Sequence, residues 1–242
     1  MSKTPLIIIP ARFASKRLPG KPLEKIGNKT LIEHAVASAL LSKHVGAANI
    51  CVATDDELIV TRLKSIKPVG LPEWLNVFMT DEDLETGTDR CAQAIENSMG
   101  WDACPDWVIN VQGDMPFGTA PFIDRLVAAT QVYPYADMIT PVCDVVSVEW
   151  ESSRFGPVRI ASPLHVGIYA YKKNALKLFY ESRIEEHCRE EEKVNSLEQL
   201  RAKALHLDIQ LLKVPDMLPP LEVNTPADLK RLQEIANAAT SD

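Results

Sequence analysis

Segments with strand character and segments with helix character alternate along almost the whole chain, and this alternation limits the fold more than any other feature. LIIIP (6–10) is a short apolar, β-branched run. TLIEHAVASALLS (30–42) follows it with apolar residues at helical spacing. The order then repeats: strand NICVAT (49–54), helix DDELIVTRLKSI (55–66), strand NVFMT (76–80), helix TDRCAQAIENSM (88–99), strand DWVINVQ (106–112), helix TAPFIDRLVAATQ (119–131) and strand ADMITPV (136–142). HVGIYAY (165–171) places Val166, Ile168 and Ala170 on one strand face, with His165, Gly167, Tyr169 and Tyr171 on the other. A helix over 193–205, a strand over 209–214 and a helix over 225–238 complete the series. In the last helix Thr225 suits the N-cap and Pro226 the first turn. Alternation of this kind predicts an α/β fold, a Rossmann-like, mostly parallel (mixed) sheet with helices on both faces. The chain has 242 residues, 46% of them hydrophobic, which predicts one domain over 1–242 with residues 143–164 as an irregular excursion.

Charge and composition narrow the function classes. The formal net charge is −7, so nonspecific nucleic-acid binding, which needs a basic surface, is not expected. No apolar run approaches membrane-spanning length, and MSKTPLIIIP passes into a strand without a secretory leader pattern. The cysteines (Cys51, Cys91, Cys104, Cys143, Cys188) are odd in number and form no C-x-x-C pair. Disulfides and structural zinc are therefore not expected, and a reducing cytoplasm fits.

In open α/β sheets ligands bind beyond the carboxyl ends of the strands. The first strand empties into a loop holding Arg12, Ser15, Lys16, Arg17, Gly20 and Lys21, cations that stand out against an acidic background. Such a loop offers backbone N–H groups and positive charge to a phosphate. It is neither a P-loop nor a G-x-G-x-x-G fingerprint. Other strands end at Thr54-Asp55-Asp56, before Glu85 to Arg90, and at Gln112-Gly113-Asp114. A carboxylate such as Asp114 beside a glycine suits Mg²⁺, which needs only one or two carboxylates plus substrate phosphates; a turn or helix cap is its alternative role. Thr88 reads as an N-cap, which puts Arg90 in a first turn where a cation opposes the helix dipole. A nearby anion, bound ligand included, or Asp89 would relieve that conflict. His165 is either a satisfied structural residue or a functional one. Glu198 and Arg201, three apart, read as a surface pair.

Arg12, Ser15, Arg17, Pro19 and Lys21 form R-x-x-S-x-R-x-P-x-K, which resembles the signature of the 3-deoxy-manno-octulosonate (Kdo) cytidylyltransferases. ATDD (53–56), TGTDR (86–90), VINVQGD (108–114), HVGIYAY (165–171), LEQLR (197–201) and VNTPADL (223–229) resemble that family's later motifs in the same order. The resemblance implies a nucleotidyltransferase-type fold that transfers CMP from CTP to an acidic sugar, with Mg²⁺ and release of pyrophosphate. It implies Arg12, Lys21 and Asp114 as catalytic residues, and Arg12, Ser15, Arg17, Lys21, Arg90 and Gln112 as nucleotide-binding. It implies His165, Glu198 and Gln199 as sugar-binding, Asp114 and position 224 as metal-binding, and a homodimer. Asn224 stands where the family has a ligating Asp, Met115 replaces the Glu of Q-G-D-E-P, and the Y-F-S-R-x-x-I-P stretch before His165 is missing. The alternatives are another acidic sugar, such as a nonulosonate, or a nucleotide-binding homologue with little turnover.

Overall fold

The computed structural model describes residues 4–15, 17–65, 75–149, 158–195 and 197–239. Its strands are β1 (Leu6–Ala11), β2 (Lys25–Ile26), β3 (Lys29–Thr30), β4 (Ile50–Thr54), β5 (Asn76–Met79), β6 (Trp107–Val111), β7 (Met138–Glu149), β8 (Val158–His165), β9 (Ile168–Lys172) and β10 (Ile209–Lys213). Its helices are α1 (Leu31–Leu40), α2 (Glu57–Ser65), α3 (Gly87–Ser98), α4 (Gly100–Ala103), α5 (Ala120–Val132), α6 (Lys173–Glu181), α7 (Glu186–Asn195), α8 (Glu198–Ala204) and α9 (Pro226–Ala239).

One sheet runs in the order β10-β7-β9-β6-β1-β4-β5, with β8 paired to β7. β1 lies parallel to both β4 and β6, β4 to β5, and β10 to β7. β9 enters antiparallel between β6 and β7, and β8 is antiparallel to β7. The sheet is therefore mixed but mostly parallel, with the central strand β1 leading straight into the basic loop.

The alternation of side chains in β1 divides the core into two layers. Ile7 and Ile9 pack with Ile32 and Val36 of α1 and Phe122 and Ile123 of α5. Leu6 and Ile8 face the other way, toward Ala92 and Ile95 of α3 and Phe179 of α6. Each such buried Leu, Ile, Val or Phe side chain contributes about 1.5–3 kcal/mol. A small third cluster joins Ile26, Leu31, Val223, Leu229 and Leu232, and so seats α9 on the β2–β3 hairpin beneath the basic loop. Thr225 and Asp228 cap α9 reciprocally, Thr225 N–H donating to Asp228 Oδ2 at 2.8 Å and Asp228 N–H to Thr225 Oγ1 at 3.3 Å.

Three expectations change. The described parts of 143–164 are regular: β7 continues to Glu149 and pairs in antiparallel register with β8, from Val142 opposite His165 to Glu149 opposite Val158. Residues 150–157 lie outside the described set. The strand expected over 165–171 is two, because β8 ends at His165 and β9 begins at Ile168. The helix expected over 193–205 is also two, α7 and α8, with Ser196 outside the described residues. Among the described residues no helix is long and apolar enough to cross a membrane.

Candidate functional site

The basic loop is held in shape by its own backbone and by Asp55. Ser15 and Gly20 N–H groups both donate to the Phe13 carbonyl, at 2.8 and 2.9 Å. Gly20 has φ 70°, a left-handed conformation that glycine adopts without a Cβ penalty. Phe13 N–H donates to Asp55 Oδ1 at 2.9 Å, which ties the loop to the end of β4. Lys16 lies outside the described residues.

A cavity of about 650 Å³ opens where β1, β6 and the start of α3 meet. Arg12, Ser15, Arg17 and Lys21 line one side, Thr86, Gly87 and Arg90 a second, and Gln112, Gly113 and Asp114 a third. The strand-end motifs thus share one rim. A Cβ at Gly113 would lie 2.6 Å from the Pro10 carbonyl oxygen, so only glycine lets the β6 turn close onto β1. Lys21 Nζ donates to Asp114 Oδ2 at 2.7 Å and to the Val223 carbonyl at 3.0 Å, with the two side chains 14% and 24% exposed. Arg12 Nε is buried with no hydrogen-bond partner among the described residues, an orphan donor of the sort a bound anion satisfies.

Arg90 lines the cavity but is not an uncommitted cation. Its Nη2 pairs with Asp55 Oδ2 at 3.1 Å, and its Nη1 donates to Thr80 Oγ1 and to the Asp81 carbonyl. Asp55, which the sequence reading left without a role, is therefore what balances Arg90 and what fixes the basic loop. Asp89 does not do so, because it pairs with Arg201. The cap of α3 is Thr86, not Thr88: Asp89 N–H donates to Thr86 Oγ1 at 3.0 Å.

His165, Gln199 and Glu198 converge beside this rim. Gln199 Nε2 lies 3.2 Å from His165 Nδ1, and an amide nitrogen can only donate. The ring proton is thereby assigned to Nε2, 3.0 Å from Thr140 Oγ1. Burial pulls the His165 imidazole below its ordinary range, so it is held neutral. Its ring stacks on Tyr169, centroids 5.4 Å apart. Gln199 Oε1 is buried without a partner among the described residues. Glu198 turns onto the N-terminus of α3, where it accepts from Gly87 N–H at 3.2 Å and from the Thr88 hydroxyl. Both of its oxygens meet protein donors, which differs from the open sugar contact expected for it. Burial raises its carboxyl to about 7.

Arg201 is no surface residue and does not pair with Glu198. It is fully buried, bidentate to Asp89 at 2.6 and 3.0 Å and bonded to Glu192 at 2.7 and 3.0 Å. It ties α7 and α8 to α3 and so sets where Glu198 and Gln199 stand. An i,i+3 reading could not find this, since Arg201 and Asp89 are 112 positions apart.

Asn224 lies beside Arg17 and Glu222. Its Oδ1 accepts from Arg17 Nη2 at 3.4 Å, and its Nδ2 donates to Glu222 Oε2 at 3.0 Å. Glu222, absent from the sequence reading, has its carboxyl raised by burial and by the like charge of Asp114. Oxygen donors around Asp114 match the chemistry of a hard divalent cation, and the Lys21 ammonium now sits between two of them.

The cytidylyltransferase family model matches residues 6–155. The 3-deoxy-manno-octulosonate cytidylyltransferase 2 of Paraburkholderia phytofirmans is 34% identical over 260 residues, covering 95% of this chain and 92% of its own. The 3-deoxy-manno-octulosonate cytidylyltransferase of Bdellovibrio bacteriovorus is 34% identical over 259 residues, covering 96% and 97%. Among solved structures, CMP:2-keto-3-deoxy-manno-octonic acid synthetase complexed with CTP superposes with a TM-score of 0.75 and 26% identity over 98% of this chain and 100% of that one. A basic loop after the first strand, facing the β6 turn, is thus found in a chain whose relatives are cytidylyltransferases over nearly their full length, and the chain belongs to the cytidylyltransferase family of nucleotidyltransferases.

Proposed function

We propose that the protein transfers CMP from CTP to the anomeric hydroxyl of Kdo or a close acidic-sugar analogue, with Mg²⁺, releasing pyrophosphate. The observation that carries this reading is the contact of Lys21 with Asp114 on the wall of one cavity that Arg12, Arg17, Arg90 and Gln112 also line.

The reaction forms a bond from the sugar oxygen to the α-phosphorus and breaks the bond to the bridging oxygen of the leaving pyrophosphate. Its main demands are positioning and charge neutralisation. Arg12 and Lys21 supply positive charge to the triphosphate, and the orphan Arg12 Nε is a donor already stripped of water. Ser15 and Arg17 shape the loop, while Gln112 and the Asp55-braced Arg90 border the nucleotide side. Asp114 holds the divalent cation. When bound, Mg²⁺ supplies neutralisation of phosphate charge and eases loss of the attacking hydroxyl's proton. On the sugar side, the unpartnered Gln199 Oε1 is an acceptor for a hydroxyl, and the neutral His165 keeps that amide in place. Glu198 couples this side to the nucleotide rim through Gly87 and Thr88. A CTP-dependent reaction and five buried cysteines fit a cytoplasmic enzyme.

The test is pyrophosphate release from CTP and Mg²⁺ with a panel of Kdo, an amino-Kdo and a nonulosonate. Release with Kdo or amino-Kdo is expected. Release with the nonulosonate alone would reassign the acceptor, and CTP binding with no release from any acceptor would overturn the enzymatic reading.

A further inference from the structure

The proposed reaction requires a divalent cation beside Asp114, and the family resemblance directs attention to position 224 for the second oxygen donor. The local geometry directs it elsewhere. Oδ1 is the only side-chain atom of Asn224 able to ligate a hard cation, and it faces the Arg17 guanidinium at 3.4 Å. Its other polar atom, Nδ2, donates to Glu222 Oε2 at 3.0 Å. Glu222 and Asn224 therefore lie on the same side of the chain, while Val223 between them is buried against α9. Val223 is pinned on both polar groups: its N–H donates to the Asp114 carbonyl at 2.9 Å, and its carbonyl accepts from Lys21 at 3.0 Å. Those bonds hold residues 222–224 alongside Asp114. The other Glu222 oxygen, Oε1, is directed toward the turn between β8 and β9, where it lies 3.9 Å from the position a Cβ on Gly167 would take; Gln112 Cγ lies 3.8 Å from that same position. Glu222 thus reaches the junction of the nucleotide and sugar sides.

We propose that Glu222, not the residue at 224, supplies the second carboxylate of the divalent-cation site, and that Asn224 orients it by hydrogen bonding. The arrangement keeps two carboxylates at the site although position 224 has lost its charge. A hard cation prefers a charged carboxylate oxygen to a neutral amide oxygen already committed to an arginine. A hydrogen-bonded neighbour that fixes a ligand's direction is an ordinary part of such sites. The inference rests on the reading that a divalent cation accompanies CTP.

The direct test is the anomalous signal of Mn²⁺ in crystals of the full chain grown with CTP and no acceptor. A peak bound by both Asp114 and Glu222 is the expected result. A peak on Asp114 that leaves Glu222 unliganded would overturn the assignment and leave the proposed function standing. Absence of any peak at Asp114 in a CTP-bound crystal would overturn both. In solution, Glu222→Gln should raise the Mn²⁺ concentration for half-maximal pyrophosphate release at least about tenfold. The double variant Glu222→Gln, Asn224→Asp should recover most of that loss, since it returns a carboxylate to the neighbouring position. An unchanged Mn²⁺ requirement in Glu222→Gln would also overturn the assignment.

Discussion

Single side chains set the charge balance of the site. Lys21 is held by Asp114 and the Val223 carbonyl, so its ammonium is already placed on the cavity wall. Lys21→Ala should lower turnover by at least about a hundredfold, the scale of removing one charge-stabilising donor. Steady-state pyrophosphate release measures this, and an unchanged rate would remove Lys21 from the machinery. Glu198 makes a different prediction, about pH. Burial lifts its carboxyl from the ordinary 4.5 to about 7, against the opposing hydrogen bond from Thr88. Folding therefore favours its protonated form. The resulting stabilisation is full below about pH 4.5 and is lost as pH rises through about 7. The Tm of the wild type minus that of Glu198→Gln should fall across this window and then level off. Pairing the two proteins cancels Glu192 and Glu222, whose carboxyls are also raised. A difference that stays flat with pH would show that Glu198 titrates normally.

At the level of elements, the placement of α8 depends on a buried ionic node. Arg201 is the point where α3, α7 and α8 meet, through Asp89 and Glu192, with its guanidinium also 4.1 Å from the Phe179 ring centroid. Removing one partner from such a buried group strands the others without compensation. Arg201→Ala should destabilise the protein by about 3–5 kcal/mol in urea denaturation. Because Glu198 and Gln199 begin the same helix, KM for the sugar acid should rise more than KM for CTP. Equal changes in both constants would mean that α8 does not position the acceptor. The legibility of elements follows the same division. β1, β4, β6 and α1 were readable because each carries its own period of apolar residues. The β7–β8 hairpin was not, because Pro163 and Asp144 face each other in its register and neither advertises a strand. The α7–α8 break was missed because the apolar spacing runs through it.

For the molecule as a whole, the two core layers close over Cys51, Cys91, Cys104 and Cys143, while Cys188 of α7 is covered beside Glu185 and His187. All five thiols are buried, and burial pushes Cys51 up to about 12. Thiolate is the reactive form, so a buried thiol of raised pKa is inert. Native protein at pH 8 should therefore react with a disulfide exchange reagent only slowly, and denatured protein should release five equivalents at once. A rapid native phase of more than one equivalent would show that one of the layers opens without global unfolding, since Cys188 alone lies outside them.

By itself the sequence determined the alternating α/β sheet, the basic loop after its first strand and the gathering of strand-end motifs on one rim. Periods of two and of 3.6 residues are local properties, and the side on which ligands bind follows from strand direction. Only the tertiary structure decided the antiparallel entry of β9, the pairing of Arg90 with Asp55, the burial of Arg201 between Asp89 and Glu192, and the hydrogen bonds that hold Val223 against Asp114 and Lys21. These are contacts between charged or hydrogen-bonding groups far apart in the chain. Which partner each one meets depends on how whole elements pack, and no local pattern of residues encodes that.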